Sequence, residues 1–166
     1  MHSLLKDMEE LREQLEKGSL QRSYQALISY MMRLRTYFQK TYPEFGVSGF
    51  YQGYFDMTYF ALVPPSFKDR GLKVAIVFNY DGFRFEVWLS GRNRKVLRQY
   101  WALFKDSQWP EYRVVAPAKG IDSIVEYDVA SGFDLDDQAA LTSRIELAAS
   151  AFIDDVEGYL SERQPV

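Results

Sequence analysis

The amino-acid sequence contains no cysteine, and its single histidine is His2, so several kinds of site are excluded. Without cysteine there is no disulfide, no thiol nucleophile and no zinc site built on thiolates. A single histidine also excludes multi-histidine metal sites within one chain and makes histidine-based acid–base catalysis untenable. The sequence also lacks a Gly-x-Ser-x-Gly elbow, so no hydrolase triad can be assigned.

Long apolar runs are missing as well. No segment has the length and hydrophobicity of a membrane span, and the first residues lack the apolar core of a signal peptide. We therefore expect a cytoplasmic protein without a membrane partner.

What the chain has in abundance is aromatic side chains and unevenly distributed charge. Its 166 residues suit one domain spanning 1–166, and twelve Tyr and twelve Phe must supply much of a core or of a binding face. Residues 121–166 carry 11 acidic residues and two arginines, whereas the rest carries 18 basic and 12 acidic residues. These oppositely charged parts either pack together or present two faces to different partners.

The periodicity of apolar residues predicts the elements of the fold. Their order, ααβββαββα, indicates an α+β domain in which helices cover a mainly antiparallel sheet. The predicted elements are a helix up to the joint at 17–19, a helix ending before Pro43, a strand from about Phe50 to Leu62, a hairpin from Val74 to Leu89, a helix from about Arg92 to Phe104, short strands around Tyr112–Val115 and Ile121–Val129, and a helix capped by Asp134 or Asp136.

The first helix carries an apolar stripe whose role has two interpretations. The stripe consists of Leu4, Leu5, Met8, Leu11 and Leu15. It is too short for a stable coiled coil, so we expect the helix to dock on its own domain. Docking on a second copy, which would make a homodimer, is the alternative.

The hairpin is the most informative segment because strong architecture and unusual side chains coincide there. An apolar run ends in the turn Asn79-Tyr80-Asp81-Gly82, and the following strand alternates apolar with polar residues. Successive side chains of a strand point to opposite faces, so Arg84, Glu86 and Trp88 share one face.

The same alternation assigns faces to the preceding strand. Tyr51, Phe55, Met57, Tyr59 and Ala61 are predicted to face the core, and Gln52, Tyr54, Asp56, Thr58 and Phe60 to lie opposite. The candidate site then combines Tyr54, Asp56, Arg84, Glu86 and Trp88.

Aromatic rings beside a charged pair suit the binding of a small polar ligand or a protein partner. We therefore predict a binding face and assign it no catalytic residue, cofactor or metal. Alternatively, Arg84 pairs with Asp56 or Glu86 across a solvated sheet face while the rings cover a helix.

A metal-dependent nuclease is the alternative function. The order helix, three strands, helix, strand matches the core of the restriction-endonuclease-like fold, in which acids on the second and third strands bind a divalent metal. Asp81 and Glu86 occupy comparable places, but Trp88 stands where such enzymes carry a lysine. Phosphate contacts would come from Arg92, Arg94, Lys95, Arg98 and Gln99. Because the lysine is missing, we do not expect nucleic acid as a partner.

Several motifs are similar to those of a known family. They are Tyr30-Met31-Met32-Arg33-Leu34-Arg35, Tyr51–Phe60, Phe83–Asn93 and Gly120-Ile121-Asp122-Ser123-Ile124. Together they resemble an uncharacterised family of bacterial proteins, domain of unknown function 7000. The resemblance implies a bacterial protein with a single domain, and it supplies no activity, cofactor or site residue.

Overall fold

A computed structural model describes residues 2–165 of the chain. The helices are α1 (Leu4–Lys17), α2 (Ser19–Thr41), α3 (Pro65–Lys68), α4 (Arg94–Phe104) and α5 (Gln138–Leu160). The strands are β1 (Gly46–Val47), β2 (Met57–Val63), β3 (Leu72–Asn79), β4 (Arg84–Gly91), β5 (Arg113–Val114) and β6 (Val125–Ala130).

The six strands form one antiparallel sheet in the order β1-β2-β3-β4-β6-β5. The predicted α+β class and element order are therefore confirmed. Two short elements are added to the predicted order: β1, and α3, which begins where Pro64 and Pro65 end the preceding strand. Pro65 stands at the first position of α3, where its missing N–H is no loss.

The core lies between one face of the sheet and the long helices α2 and α5. We call this face the inner face. Phe60, Ile76, Phe85 and Val87 of the sheet are fully buried there. Helix α5 contributes the stripe Leu141, Ile145, Ala149, Phe152, Ile153, Val156 and Leu160. The helix begins at Asp137, whose carboxylate accepts a hydrogen bond from the Ala140 N–H at 3.2 Å. The predicted caps, Asp134 and Asp136, therefore lie three residues and one residue before the observed cap.

The segment before β2 departs from the prediction. Residues 50–56 form a loop with one isolated bridge between Tyr51 and Tyr59 instead of the first half of a long strand. Gly53 (φ 78°) and Phe55 (φ 63°) adopt left-handed backbone conformations, which a strand does not tolerate.

The loop changes which residues of β2 face the core. Thr58, Phe60 and Leu62 lie on the inner face, and Met57, Tyr59 and Ala61 lie on the opposite face. The predicted face assignment of this strand is therefore wrong.

Helix α1 does not dock on the rest of the chain as predicted. It contains no buried residue, and its apolar stripe is exposed, from Leu4 at 79 % to Leu15 at 41 %. Gly18 forms the joint to α2, as the sequence indicated, and its N–H donates to the Leu15 carbonyl at 3.1 Å. Between residues 2 and 165, none of the helices has the length and apolar character needed to traverse a bilayer.

Candidate functional site

The sheet face opposite to α2 and α5 carries most of the charged and aromatic side chains that the sequence analysis singled out. We call it the outer face. Its strand residues are Met57, Tyr59, Ala61, Lys73, Ala75, Val77, Asn79, Arg84, Glu86, Trp88, Ser90, Glu126 and Asp128. The alternation of β4 places Arg84, Glu86 and Trp88 together on this face, as predicted from the sequence.

Glu86 lies at the centre of the outer face, and its side chain is only 1 % exposed. Its carboxylate accepts hydrogen bonds from Asn79 Nδ2 at 2.8 Å and from Trp88 Nε1 at 3.0 Å. Arg84 Nε lies 3.2 Å from one carboxylate oxygen, and Arg113 NH2 lies 3.6 Å from the other. A buried carboxylate is tolerated only with such partners, so Glu86 is the organising residue of this face.

Two further carboxylates complete an ionic cluster, which comprises Arg84, Glu86, Arg113, Glu126 and Asp128. Arg113 of β5 lies 2.9 Å from Asp128 and 3.1 Å from Glu126. The hydrogen bond from Arg113 holds the pKa of Asp128 below its ordinary value, and hydrogen bonding to Asp128 in turn raises the pKa of Arg113. With three acids and two arginines, the cluster carries excess negative charge near neutral pH.

Arg84 bridges the cluster but is imperfectly satisfied. Its Nε atom lies 3.2 Å from both Glu86 and Asp128, yet no acceptor stands at a hydrogen-bonding angle to this buried atom. We interpret the contacts of Arg84 Nε with Glu86 and Asp128 as electrostatic attraction without directional hydrogen bonds. The alternative interpretation of the sequence, in which Arg84 pairs with Glu86, therefore describes the contact, although Asp128 rather than Asp56 is the second partner.

A cavity of about 280 Å³ opens beside the cluster, and we call it the Trp88 cavity. Trp88 and Tyr59 supply aromatic surface, and Ala75 is paired with Trp88 on the intervening strand. The complete lining is Met57, Tyr59, Lys73, Ala75, Trp88, Ser90, Gly91, Arg92, Asn93, Arg94, Leu97 and Asp122. A concave site with apolar surface and convergent polar groups is the usual form of a small-molecule site, and this volume fits a ligand below drug size.

Two residues of the predicted site lie away from this cavity. Tyr54 stands in the loop before β2 with 90 % of its surface exposed. The Asp56 carboxylate accepts a hydrogen bond from the Tyr54 N–H at 2.8 Å. Hydrogen bonds from the backbone of Tyr54 and Met57 lower the pKa of Asp56. Their predicted position on the same strand face as Arg84 depended on the strand assignment for residues 50–56, which the structure corrects.

The geometry around Asp81 gives the nuclease alternative no positive support. Asp81 is exposed in the turn between β3 and β4, where its N–H donates to the Asn79 side chain at 3.1 Å. Glu86 is already engaged by arginine, asparagine and tryptophan. Within the part of the chain that the structure describes, no three histidine, aspartate or glutamate residues form a group suited to a metal ion. The nuclease stays an alternative prediction.

Sequence reasoning missed half of the outer face. Glu126 and Asp128 alternate along the predicted strand Ile121–Val129, so their common face was readable, but their pairing with β4 was not. Tyr59 was assigned to the core because of the error in β2. Arg92 was named only as a phosphate contact of the nuclease alternative, and Lys73 carries no local motif. Both line the Trp88 cavity because β4 returns beside β3 and places its end next to the start of β3.

These features define a class: an α+β protein whose antiparallel sheet is covered by helices on one face and carries an ionic cluster and a ligand-sized cavity on the other. The model of one family, a domain of unknown function (DUF7000), matches residues 4–160. The chain belongs to this family, as its motifs indicated. No curated protein and no solved structure matches it.

Proposed function

We propose that the protein is a non-catalytic binding module that takes a small polar ligand in the Trp88 cavity. The observation that carries the proposal is the cavity itself, which combines two rings with several polar side chains on the outer face. The bacterial origin and the cytoplasmic compartment belong to the proposal as well, and they follow from the sequence analysis.

The ionic cluster serves this proposed site as its support. The Glu86 carboxylate accepts a hydrogen bond from Trp88 Nε1 and thereby fixes the indole ring at the edge of the cavity. The sequence analysis placed Arg84, Glu86 and Trp88 together in the binding site; in this proposal Arg84 and Glu86 support Trp88, which alone of the three lines the cavity. A ring held in place loses less conformational freedom when a ligand binds.

Blocking the cavity tests the proposal. We expect Ala75→Leu to place a larger side chain between Trp88 and Tyr59 and to abolish ligand binding while the protein still folds. A panel of amino acids, monosaccharides, nucleosides and small carboxylic acids is screened by thermal shift against wild type and variant. The matched control is Ala102→Leu, the same change at an exposed position of α4. Stabilisation by a panel member that persists in Ala75→Leu, or no hit with wild type, contradicts the proposal.

A homodimer is the second candidate role, and the exposed stripe of α1 favours it. Leu4, Met8, Leu11 and Leu15 follow the four- and three-residue steps of a heptad seam, and because this seam is too short for a stable coiled coil, it would hold only a weak dimer. In a parallel pair of copies, Asp7 would lie beside Arg12 of the second copy, the flanking arrangement that joins opposite charges in such pairs. An isolated helix of this length is marginal in water, so pairing would also stabilise α1 itself.

Charge reversal on the stripe tests the homodimer. We expect sedimentation equilibrium to show a weak, concentration-dependent dimer that Leu11→Lys abolishes, because the lysine ammonium would be buried in the seam. Glu13→Lys, on the opposite side of α1, is the control and should dimerise as wild type does. A wild type that stays monomeric at every concentration rules the homodimer out.

A further inference from the structure

We infer that the ligand of the Trp88 cavity is a small anion carrying a planar ring. The inference rests on the proposed function and assigns a chemical class to the ligand. In this arrangement a phosphate or carboxylate group lies between Lys73 and Arg92, and the ring lies against Trp88 and Tyr59.

The charge of the lining carries the first part of the inference. Lys73, Arg92 and Arg94 are cationic, and Asp122 is the acidic member. Arg94 is neutralised where it stands, because its NH2 atom lies 3.3 Å from Asp122. Among residues 2–165, no carboxylate comes within 4.0 Å of the Lys73 ammonium or the Arg92 guanidinium. Lys73 and Arg92 therefore bring two positive charges to one cavity without a carboxylate paired to either, and such charges attract an anion.

The backbone places both cations at the rim of the cavity. Lys73 lies on the outer face of β3, where it is paired with Ser90 of β4, and its side chain is half-buried. The Arg92 N–H donates to the Gly71 carbonyl at 2.8 Å. The Arg92 side chain passes so close to Gly71 that a Cβ atom there would lie 3.0 Å from Arg92 Cδ and Nε. The bare backbone at Gly71 therefore lets the guanidinium lie against the start of β3.

The sheet register carries the second part, which concerns the ring. Trp88 stands on β4 and Tyr59 on β2, so β3 runs between them. Ala75 is directly opposite Trp88 on β3, and Tyr59 lies one pair further along, opposite Val77. The small side chain of Ala75 leaves space beside Trp88. Trp88 is anchored by Glu86, and Tyr59 packs on Tyr51 with ring centroids 5.0 Å apart. Two positioned aromatic side chains and a small residue in one cavity give apolar surface that suits a flat group.

Matched pairs of probes separate the two parts of the inference. Adenosine monophosphate is compared with adenosine, and benzoate with benzyl alcohol, by isothermal titration calorimetry and tryptophan fluorescence. We expect at least one charged member to bind about tenfold or more tightly than its neutral partner, and to weaken as salt is added. Inorganic phosphate alone should bind more weakly than the charged ring compound, because it gains no contact with Trp88 or Tyr59. A preference for adenosine monophosphate over adenosine indicates a phosphate ligand, and a preference for benzoate over benzyl alcohol indicates a carboxylate ligand.

Charge-removing variants locate the anion. Lys73→Met and Arg92→Met keep most of the apolar side-chain volume and should each weaken the charged probe by about tenfold, which corresponds to about 1.4 kcal/mol. Lys95→Met is the control, since Lys95 lies on α4 outside the lining and is exposed. Unaltered thermal unfolding of the variants shows that the loss is local.

The outcomes distinguish this inference from the proposed function. Equal affinity of charged and neutral partners, or undiminished binding to Lys73→Met and Arg92→Met, overturns the anion class. The Trp88 cavity then still stands as a binding site if Ala75→Leu blocks the ligand. If neither charged probe binds, the inference is also overturned. The proposed function falls when no member of the panel binds, or when Ala75→Leu leaves binding intact.

Discussion

Replacement of Glu86 by alanine is expected to lower the free energy of unfolding by about 3 kcal/mol, because it leaves buried donors and charge without a partner. The Glu86 carboxylate is the acceptor for Asn79 Nδ2 and Trp88 Nε1 and lies beside the guanidinium groups of Arg84 and Arg113. Asp128 keeps both arginines partly paired, which places the expected loss at the lower end of the range for a broken buried ion pair. Urea unfolding followed by circular dichroism measures it.

Glu126→Ala is the matched control for this prediction. Glu126 also contacts Arg113, at 3.1 Å, but 17 % of its side chain is exposed, against 1 % for Glu86. Glu126 also accepts a hydrogen bond from the buried Ser123 hydroxyl at 2.5 Å, but water can replace part of what is lost, so we expect a loss of about 1 kcal/mol. Glu86→Gln keeps an acceptor oxygen and most of the volume, and it should fall between the two. A loss for Glu86→Ala no larger than that for Glu126→Ala would contradict the central role of Glu86.

Substitution of Gly53 by alanine is the second change with a large expected effect, about 2 kcal/mol or more. Gly53 has φ 78°, which costs an alanine about 1 kcal/mol or more. A Cβ atom there would also lie 1.9 Å from the Met57 carbonyl oxygen, a backbone atom that cannot rotate away. The loop 50–56 must therefore shift, and with it the start of β2.

Gly120→Ala separates the two causes. Gly120 has a similar φ of 81°, but no atom lies within 4 Å of the position its Cβ would take. We expect Gly120→Ala to show the backbone strain alone, and the difference between the two variants to report the steric clash in the loop. Equal losses in thermal unfolding for both glycines would show that residues 50–56 accommodate a side chain without cost.

Gly53 also explains why part of the fold escaped sequence analysis. The hairpin of β3 and β4 was predictable because apolar alternation and the turn Asn79-Tyr80-Asp81-Gly82 agree, and the common face of Arg84, Glu86 and Trp88 follows from that alternation. Aromatic residues continue through 50–56, so this segment has the composition of a strand although its backbone is a loop. Because the alternation was counted through this loop as if it were a strand, the residues of β2 were assigned to the wrong faces of the sheet.

The candidate site was predictable to the extent that it lies on one strand. Trp88 and the two charged residues beside it come from β4 alone. The same cavity is lined by Lys73, Arg92 and Tyr59, which come together because β2, β3 and β4 are adjacent in the sheet. Arg113 of β5 contacts Glu86 of β4 across the intervening strand β6. Such long-range proximity depends on strand pairing, which local periodicity does not specify.

The described sheet ends on both sides in a strand of two residues, β1 and β5. Exposed sheet edges normally offer unpaired backbone groups to a foreign strand, and very short edge strands withdraw that template. Recruitment of an extended peptide by backbone pairing needs a longer edge than either strand supplies. Neither β1 nor β5 therefore offers a long template for edge-to-edge polymerisation or for an added strand.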